Sequence, residues 1–188
     1  MKFVQPIRDK KKLEAMKKIL LAESPRNHLL FILGINTGLR ISDILQFKVE
    51  DLVNERGKPR DFHAVKEKKT GKWRRFPFGK NVKKAIELYM KTYDVEPEDW
   101  VFKSRKGDGP IDRRHAWRIL SETAQMVGID EAIGTHSLRK TFGYHAYKSG
   151  VDLSMIQYLL NHSSQRETLR YIGITDEEAE DVVINLNL

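Results

Sequence analysis

The run Leu29-Leu30-Phe31-Ile32-Leu33-Gly34-Ile35 sets the terms for the whole chain. It is far shorter than the roughly 20 apolar residues that cross a bilayer. As a helix from about Arg26 to Thr37 it is hydrophobic on most sides, so other elements must surround it. Gly38 is placed to end it in a left-handed conformation. The surrounding segments are recognisable by their spacing. Asp9 caps a helix with Leu13, Met16, Ile19 and Leu20 on one face, ended at Ser24-Pro25. A second amphipathic helix carries Val82, Ala85, Ile86, Leu88 and Tyr89. A third, capped by Asp112, carries Ala116, Ile119, Leu120 and Val127 and stops at Gly128. From Asp61 to Phe78 the pattern is extended: DFHAVKE and KWRRFPF flank KKTG, a β-hairpin with its turn near Thr70-Gly71.

A chain of 188 residues with 40% hydrophobic content can form one domain with a proper core. The absence of cysteine excludes a disulfide framework, thiolate catalysis and Cys-ligated zinc. MKFVQPIRDKKK has neither the apolar centre nor the cleavage site of a signal peptide, so the cytoplasm is the expected location. The net charge is +8, and the last fifteen residues alone carry −5, which leaves +13 on the rest. A basic body of this kind favours a polyanionic partner, most simply nucleic acid. Lys66, Lys68, Lys69, Lys72, Arg74 and Arg75 crowd the hairpin. Six cations in ten residues exceed what protects a sheet edge, and read as a ribbon that follows phosphates. Arg113, Arg114 and Arg118 add to the basic surface.

The stretch THSLRKTFGYHAYKSGVDLSMIQYLLNHSSQRETLRYIG, residues 135 to 173, gathers the residue types with chemistry. A helix from Ser137 to Ser149 places His136 just before its first turn and Arg139 near its start. Three residues apart, the two side chains share a face at the positive end of the helix dipole. Asp152 caps the next helix, with Met155, Ile156, Leu159 and Leu160 facing inward and His162 at its exit. Ser164 and Glu167 form a capping box for the segment that bears Tyr171. Upstream, Arg40 follows the buried helix and precedes the short helix ISDILQF. Arginine there is ordinarily a solvated group, but apolar neighbours on both sides pin its backbone.

Two arginines, a lysine, two histidines and a tyrosine, without a matching carboxylate cluster, suit attack on a phosphodiester without metal. Guanidinium forks match phosphate oxygens bidentately and stay charged. Lysine can protonate a leaving oxygen, and a tyrosine hydroxyl becomes a nucleophile once a base removes its proton. Singly, a Tyr or a His is most often a packing residue; the weight lies in joint order and spacing. Zinc is a poor rival, since neither His-x₃-His nor His-Glu-x-x-His occurs.

These residues resemble the tyrosine recombinases, or phage integrase family. Thr37-Gly38-Leu39-Arg40 with Ile-Ser-Asp-Ile-Leu resembles the family's first arginine motif, and Lys69-Thr-Gly-Lys72 with Arg74 and Pro77 its hairpin lysine motif. Thr135 to Arg139 matches the His-x-x-Arg box, Leu159 to Ser163 the Leu-Gly-His-Ser box, and Thr168 to Tyr171 the nucleophile segment. The resemblance implies a mainly α domain with a small antiparallel β-sheet. It implies that Arg40 and Arg139 bind the scissile phosphate and Lys69 protonates the 5′ leaving oxygen. His136 is then the general acid/base, His162 contacts the phosphate or stabilises the transition state, and Tyr171 forms a 3′-phosphotyrosine, without cofactor. Double-stranded DNA is the implied partner, with Lys66, Lys68, Lys72, Arg74, Arg75, Arg113 and Arg114 along it. A dimer or tetramer is implied on DNA, with the 174–188 tail exchanged between protomers. Asp43 stands where Glu is common, and Asn161 where Gly precedes the histidine. A single catalytic domain over 1–188 is expected, without the family's N-terminal core-binding domain. A type IB topoisomerase and a DNA-binding regulator that kept the fold are the competing readings.

Overall fold

The computed structural model describes residues 4–66, 73–174 and 184. The buried run becomes α2 (Pro25–Thr37), with Leu29, Leu30, Phe31, Ile32 and Leu33 all in the core. Around it pack α1 (Lys10–Glu23), α5 (Lys80–Thr92) and α7 (Thr135–Lys148). Ser24 is extended and lies between α1 and α2, so Pro25 occupies the first turn of α2, where its missing N–H costs nothing. Asp9 caps α1 through the amides of Lys11 and Lys12, as its position predicts.

Gly38 closes α2 at φ 64°, and a Cβ there would meet the Phe142 ring at 2.7 Å, so both conformation and space require glycine. The ISDILQF segment is split. Only Ile41–Ile44 is helical (α3), and a further short helix, α4 (Val49–Leu52), follows. Strands β1 (Phe62–Lys66) and β2 (Trp73–Pro77) pair antiparallel with Val65 opposite Arg74; the expected turn at Thr70-Gly71 lies outside the described residues. Then come α6 (Arg113–Met126), α7, α8 (Leu153–Leu160) and α9 (Gln165–Ile172). The architecture is mainly helical with one small antiparallel sheet.

Tyr144, Ile156, Leu160 and Ile172 form a second apolar cluster, separate from the main core, that joins α7, α8 and α9. Gly143 permits this approach, because a Cβ there would lie 2.6 Å from Ile172. Two expectations for this region are corrected. His136 sits within the first turn of α7, which begins at Thr135. Met155 is 51% exposed, because the inward edge of this eight-residue helix is Ile156 and Leu160, four residues apart.

The N-terminal segment crosses this region as a strap. The Gln5 amide donates to the Ala132 carbonyl, the Ile7 amide to Thr141 Oγ1 at 2.8 Å, and Arg8 Nη2 to the Gly173 carbonyl at 2.8 Å. In the tail, Ala179, Val182, Val183 and Leu186 are spaced as one apolar face of a final helix; these residues lie outside the described ones, and Ile184 is helical and exposed.

Asn161 ends α8 at φ 50° and is the one non-glycine residue with positive φ among the described residues. Asn tolerates this region better than other side chains. Asn161→Ala is therefore expected to lower stability by about 1 kcal/mol, and Asn161→Gly to leave it nearly unchanged. Urea unfolding checks both.

Candidate active site

Arg139 is the centre of the site. It is only 6% exposed, and its guanidinium donates from Nη1 to the Gly38 carbonyl and from Nη2 to the Leu160 carbonyl. One side chain thus joins the ends of α2 and α8. Two of its five N–H donors serve backbone, and others remain for a ligand. Burial works against its charge, while the Tyr171 phenol and Asp43 support it and Arg40 and Arg74 oppose it. Tyr171, Arg40 and Arg74 are thus within electrostatic reach of one guanidinium.

Tyr171 is half-buried on α9, its ring edge-on to His162 at 4.8 Å and under the Lys140 ammonium at 5.1 Å. Burial pushes its phenol above the usual range, while the charges of Arg139 and Arg40 and a hydrogen bond with Arg139 pull it back. The resting tyrosine is therefore protonated and needs a base.

His162 Nδ1 lies 3.1 Å from Thr168 Oγ1, and that hydroxyl donates its own proton to the Ser164 carbonyl at 3.1 Å. Thr168 must then accept from His162, which fixes the proton on Nδ1 and leaves the Nε2 lone pair open. Ser164 caps α9 by accepting from the Glu167 amide, as expected. The carboxylate of Glu167, however, returns to Ser163 and not to Ser164, binding its amide and hydroxyl, both at 2.8 Å.

His136 is exposed beside α7's start, with its basicity lowered by desolvation and then by Arg113, Lys140, Arg139 and Arg40. Burial likewise lowers His162, with Glu167 opposing and Arg139 and Arg40 reinforcing. Both are held neutral below the unfolded value near 6.5. The unfolded chain thus binds more protons as pH falls through about 6.5, and stability present above that value is lost below it. His28, His63 and His115 shift in the same direction, burial being the first cause in each. The urea midpoint is expected to fall between pH 7.5 and 5.5, and less so in His136→Gln or His162→Gln.

Arg40 is exposed at the start of α3. Arg113 and Arg114 are exposed on α6, Arg113 close enough to influence His136. Arg75 is exposed over the Phe62 ring at 4.4 Å. Arg74 behaves differently. It turns inward, with Nη2 at 3.2 Å from the Tyr158 carbonyl and 3.0 Å from that of Leu159. Lys68, Lys69, Lys72 and the side chain of Lys66 lie outside the described residues. Thr168 and Lys140 were missed by sequence reasoning. A buried hydroxyl three residues before the tyrosine is the signal for the first; a lysine beside an arginine gives none for the second. Among the described residues no group of three His, Cys, Asp or Glu side chains is placed to hold a metal ion, and no helix is long and apolar enough to cross a membrane.

The chain is similar to several known proteins. The chain is 44% identical over 177 residues to the "Probable integrase/recombinase YoeC" of Bacillus subtilis, covering 94% of this chain and 93% of that protein. It is 32% identical to the tyrosine recombinase XerA of Pyrococcus furiosus over 93% of its own length, but spans only 60% of that relative. In fold it is similar to the crystal structure of XerA recombinase, with TM-score 0.75 at 19% identity, covering 98% of this chain and 64% of that one. It is also similar to the XerH site-specific recombinase bound to difH substrate in a pre-cleavage complex, with TM-score 0.69 at 21% identity, covering 97% and 55%. The model of the phage integrase family matches residues 8–178. With that match, and with buried Arg139 set against Tyr171 and His162 in this fold, the chain belongs to the phage integrase family of tyrosine recombinases.

Proposed function

We propose that this protein is a site-specific DNA recombinase that breaks and rejoins strands through Tyr171. The observation that carries the reading is Tyr171 edge-on to His162 at 4.8 Å, with its phenol under the charges of buried Arg139 and of Arg40. Tyr171 Oη attacks the scissile phosphorus, a 3′-phosphotyrosine forms, and the 5′ oxygen leaves as a hydroxyl. Attack by a 5′-hydroxyl on that phosphotyrosine reverses the step and rejoins a strand. The phosphodiester energy is kept in the link, so the sequence of steps calls for neither ATP nor metal.

Arg139 and Arg40 hold the non-bridging oxygens as negative charge grows on them, the kind of preorganised stabilisation that dominates such catalysis. The phenolic proton passes to a neutral imidazole, His162 through its open Nε2 or His136 as acid/base. Lys69 on the hairpin protonates the leaving oxygen. Lys66, Lys68, Lys72, Arg75, Arg113 and Arg114 follow the backbone of duplex DNA. Protomers assemble as dimers or tetramers on DNA and exchange the 174–188 tail, in the cytoplasm.

Trapping on nicked duplexes drawn from the DNA flanking the gene, with EDTA present, tests the reading. The expected result is a covalent adduct that maps to Tyr171. Tight DNA binding without any adduct would favour a regulator that kept the fold.

A further inference from the structure

The last turn of α8 holds a second arginine besides the one at the centre of the site. Like every helix end, it leaves four carbonyls without partners inside the helix. The His162 amide reaches Gln157 and the Asn161 amide reaches Tyr158, both at 3.1 Å. Leu160 receives Arg139, and Leu159 receives Arg74 from the hairpin at 3.0 Å. Two guanidiniums from distant parts of the chain thus sit side by side on the turn that aims His162.

The strand geometry makes this contact specific to Arg74. Side chains alternate across a strand, and in β2 Arg74 and Phe76 turn inward while Trp73, Arg75 and Pro77 face out. The Arg74 guanidinium lies over the Phe76 ring at 5.2 Å and the Tyr158 ring at 5.6 Å. The planar, delocalised guanidinium lies over both rings while its Nη2 reaches both carbonyls; an ammonium, a compact and strongly hydrated charge, stacks less well on a ring. The positive charge also suits the negative end of the helix dipole.

We infer that Arg74 is a positioning residue that fixes the β-hairpin to the Asn161-His162 turn, and that it is not one of the phosphate contacts. The hairpin and the His162 turn then move as one body. The position of the two paired strands relative to the phosphate-binding residues is set by this guanidinium. The inference rests on the reading of Tyr171 chemistry above, but its structural half can be tested without any cleavage.

The test compares Arg74→Gln, Arg74→Lys and Arg75→Gln in the whole chain. Single-turnover adduct formation on the nicked duplex pool is measured at saturating protein, alongside affinity as a function of salt. Arg74→Gln is expected to slow adduct formation by up to about 100-fold, the scale of a misplaced reacting group, with affinity and salt slope unchanged. Arg74→Lys should recover only part of the rate. Arg75→Gln should instead weaken binding and lower the salt slope by about 1. If Arg74→Gln behaves as Arg75→Gln is expected to, Arg74 is a phosphate contact and the inference is wrong. Hydrogen exchange at the Asn161 and His162 amides gives the second readout. Faster exchange in Arg74→Gln, but not in Arg75→Gln, supports the coupling, and equal protection in all variants overturns it. Because exchange is read on DNA-free protein, a wild type that forms no adduct would count against the proposed function and leave this comparison intact.

Discussion

Tyr171→Phe is expected to eliminate the covalent DNA adduct, a loss on the order of 10⁶-fold, the scale seen when a covalent nucleophile is removed. The substitution removes one oxygen and keeps the ring. The edge-on contact with His162 and the cation above the ring from Lys140 are both made by ring atoms, so α9 keeps its seat. What disappears is the hydroxyl that interacts with Arg139. DNA affinity should therefore stay within about twofold, since phosphate contacts by basic side chains carry most of such binding. Denaturing gels on nicked duplex, with anisotropy on the same DNA, make the comparison. Persistent adduct from the variant, mapped to another side chain, would remove Tyr171 from the mechanism.

Arg139→Ala carries the second large effect, on two properties at once. Removing the guanidinium leaves the Gly38 and Leu160 carbonyls without it in a buried setting. Each unsatisfied buried group costs about 1–3 kcal/mol, so a total of roughly 2–6 kcal/mol of stability is expected to be lost. Cleavage should fall by at least about 10²–10³-fold, as when a preorganised donor to a transition state is deleted. Arg139→Lys keeps a cation but not the fork, so it should not restore the α2–α8 bridge. Urea unfolding measures the first effect and single-turnover cleavage the second. A variant with wild-type stability and impaired cleavage would mean that the bridge contributes nothing to the fold.

Much of this was legible in the residues, and the reasons are local. Seven apolar residues in a row predict α2, Asp9 and Asp112 predict caps, and Gly38 predicts a left-handed stop, each through chemistry confined to one turn. The recombinase resemblance follows from the order of short motifs, and the family match and fold agree with it. The partners of charged side chains were not legible. Arg139 was expected as a phosphate ligand, and nothing nearby in sequence announces that it also braces a carbonyl 101 residues upstream. Arg74 reads as one of six hairpin cations until β2's pleat shows which face it occupies. Met155 fails for a related reason: helical periodicity marks an apolar stripe, but only the neighbours decide how wide a stripe is covered.

The strap over α7 has a mechanical meaning. Arg8 holds the Gly173 carbonyl, two residues past Tyr171, and the strap is pinned along its length by Thr141 and Ala132. The His145 ring adds a fourth fastening at the Ile7 carbonyl, 2.9 Å away. Tension applied to the chain ahead of α1 therefore travels through one guanidinium to the end of the helix that bears the nucleophile. That helix is short and fully buries only Thr168 and Ile172, against seven buried residues in α2, so it is the more compliant of the two. Load on the strap would shift the tyrosine before it disturbed α2, and the reactivity of Tyr171 becomes a gauge of how the N-terminal segment is held.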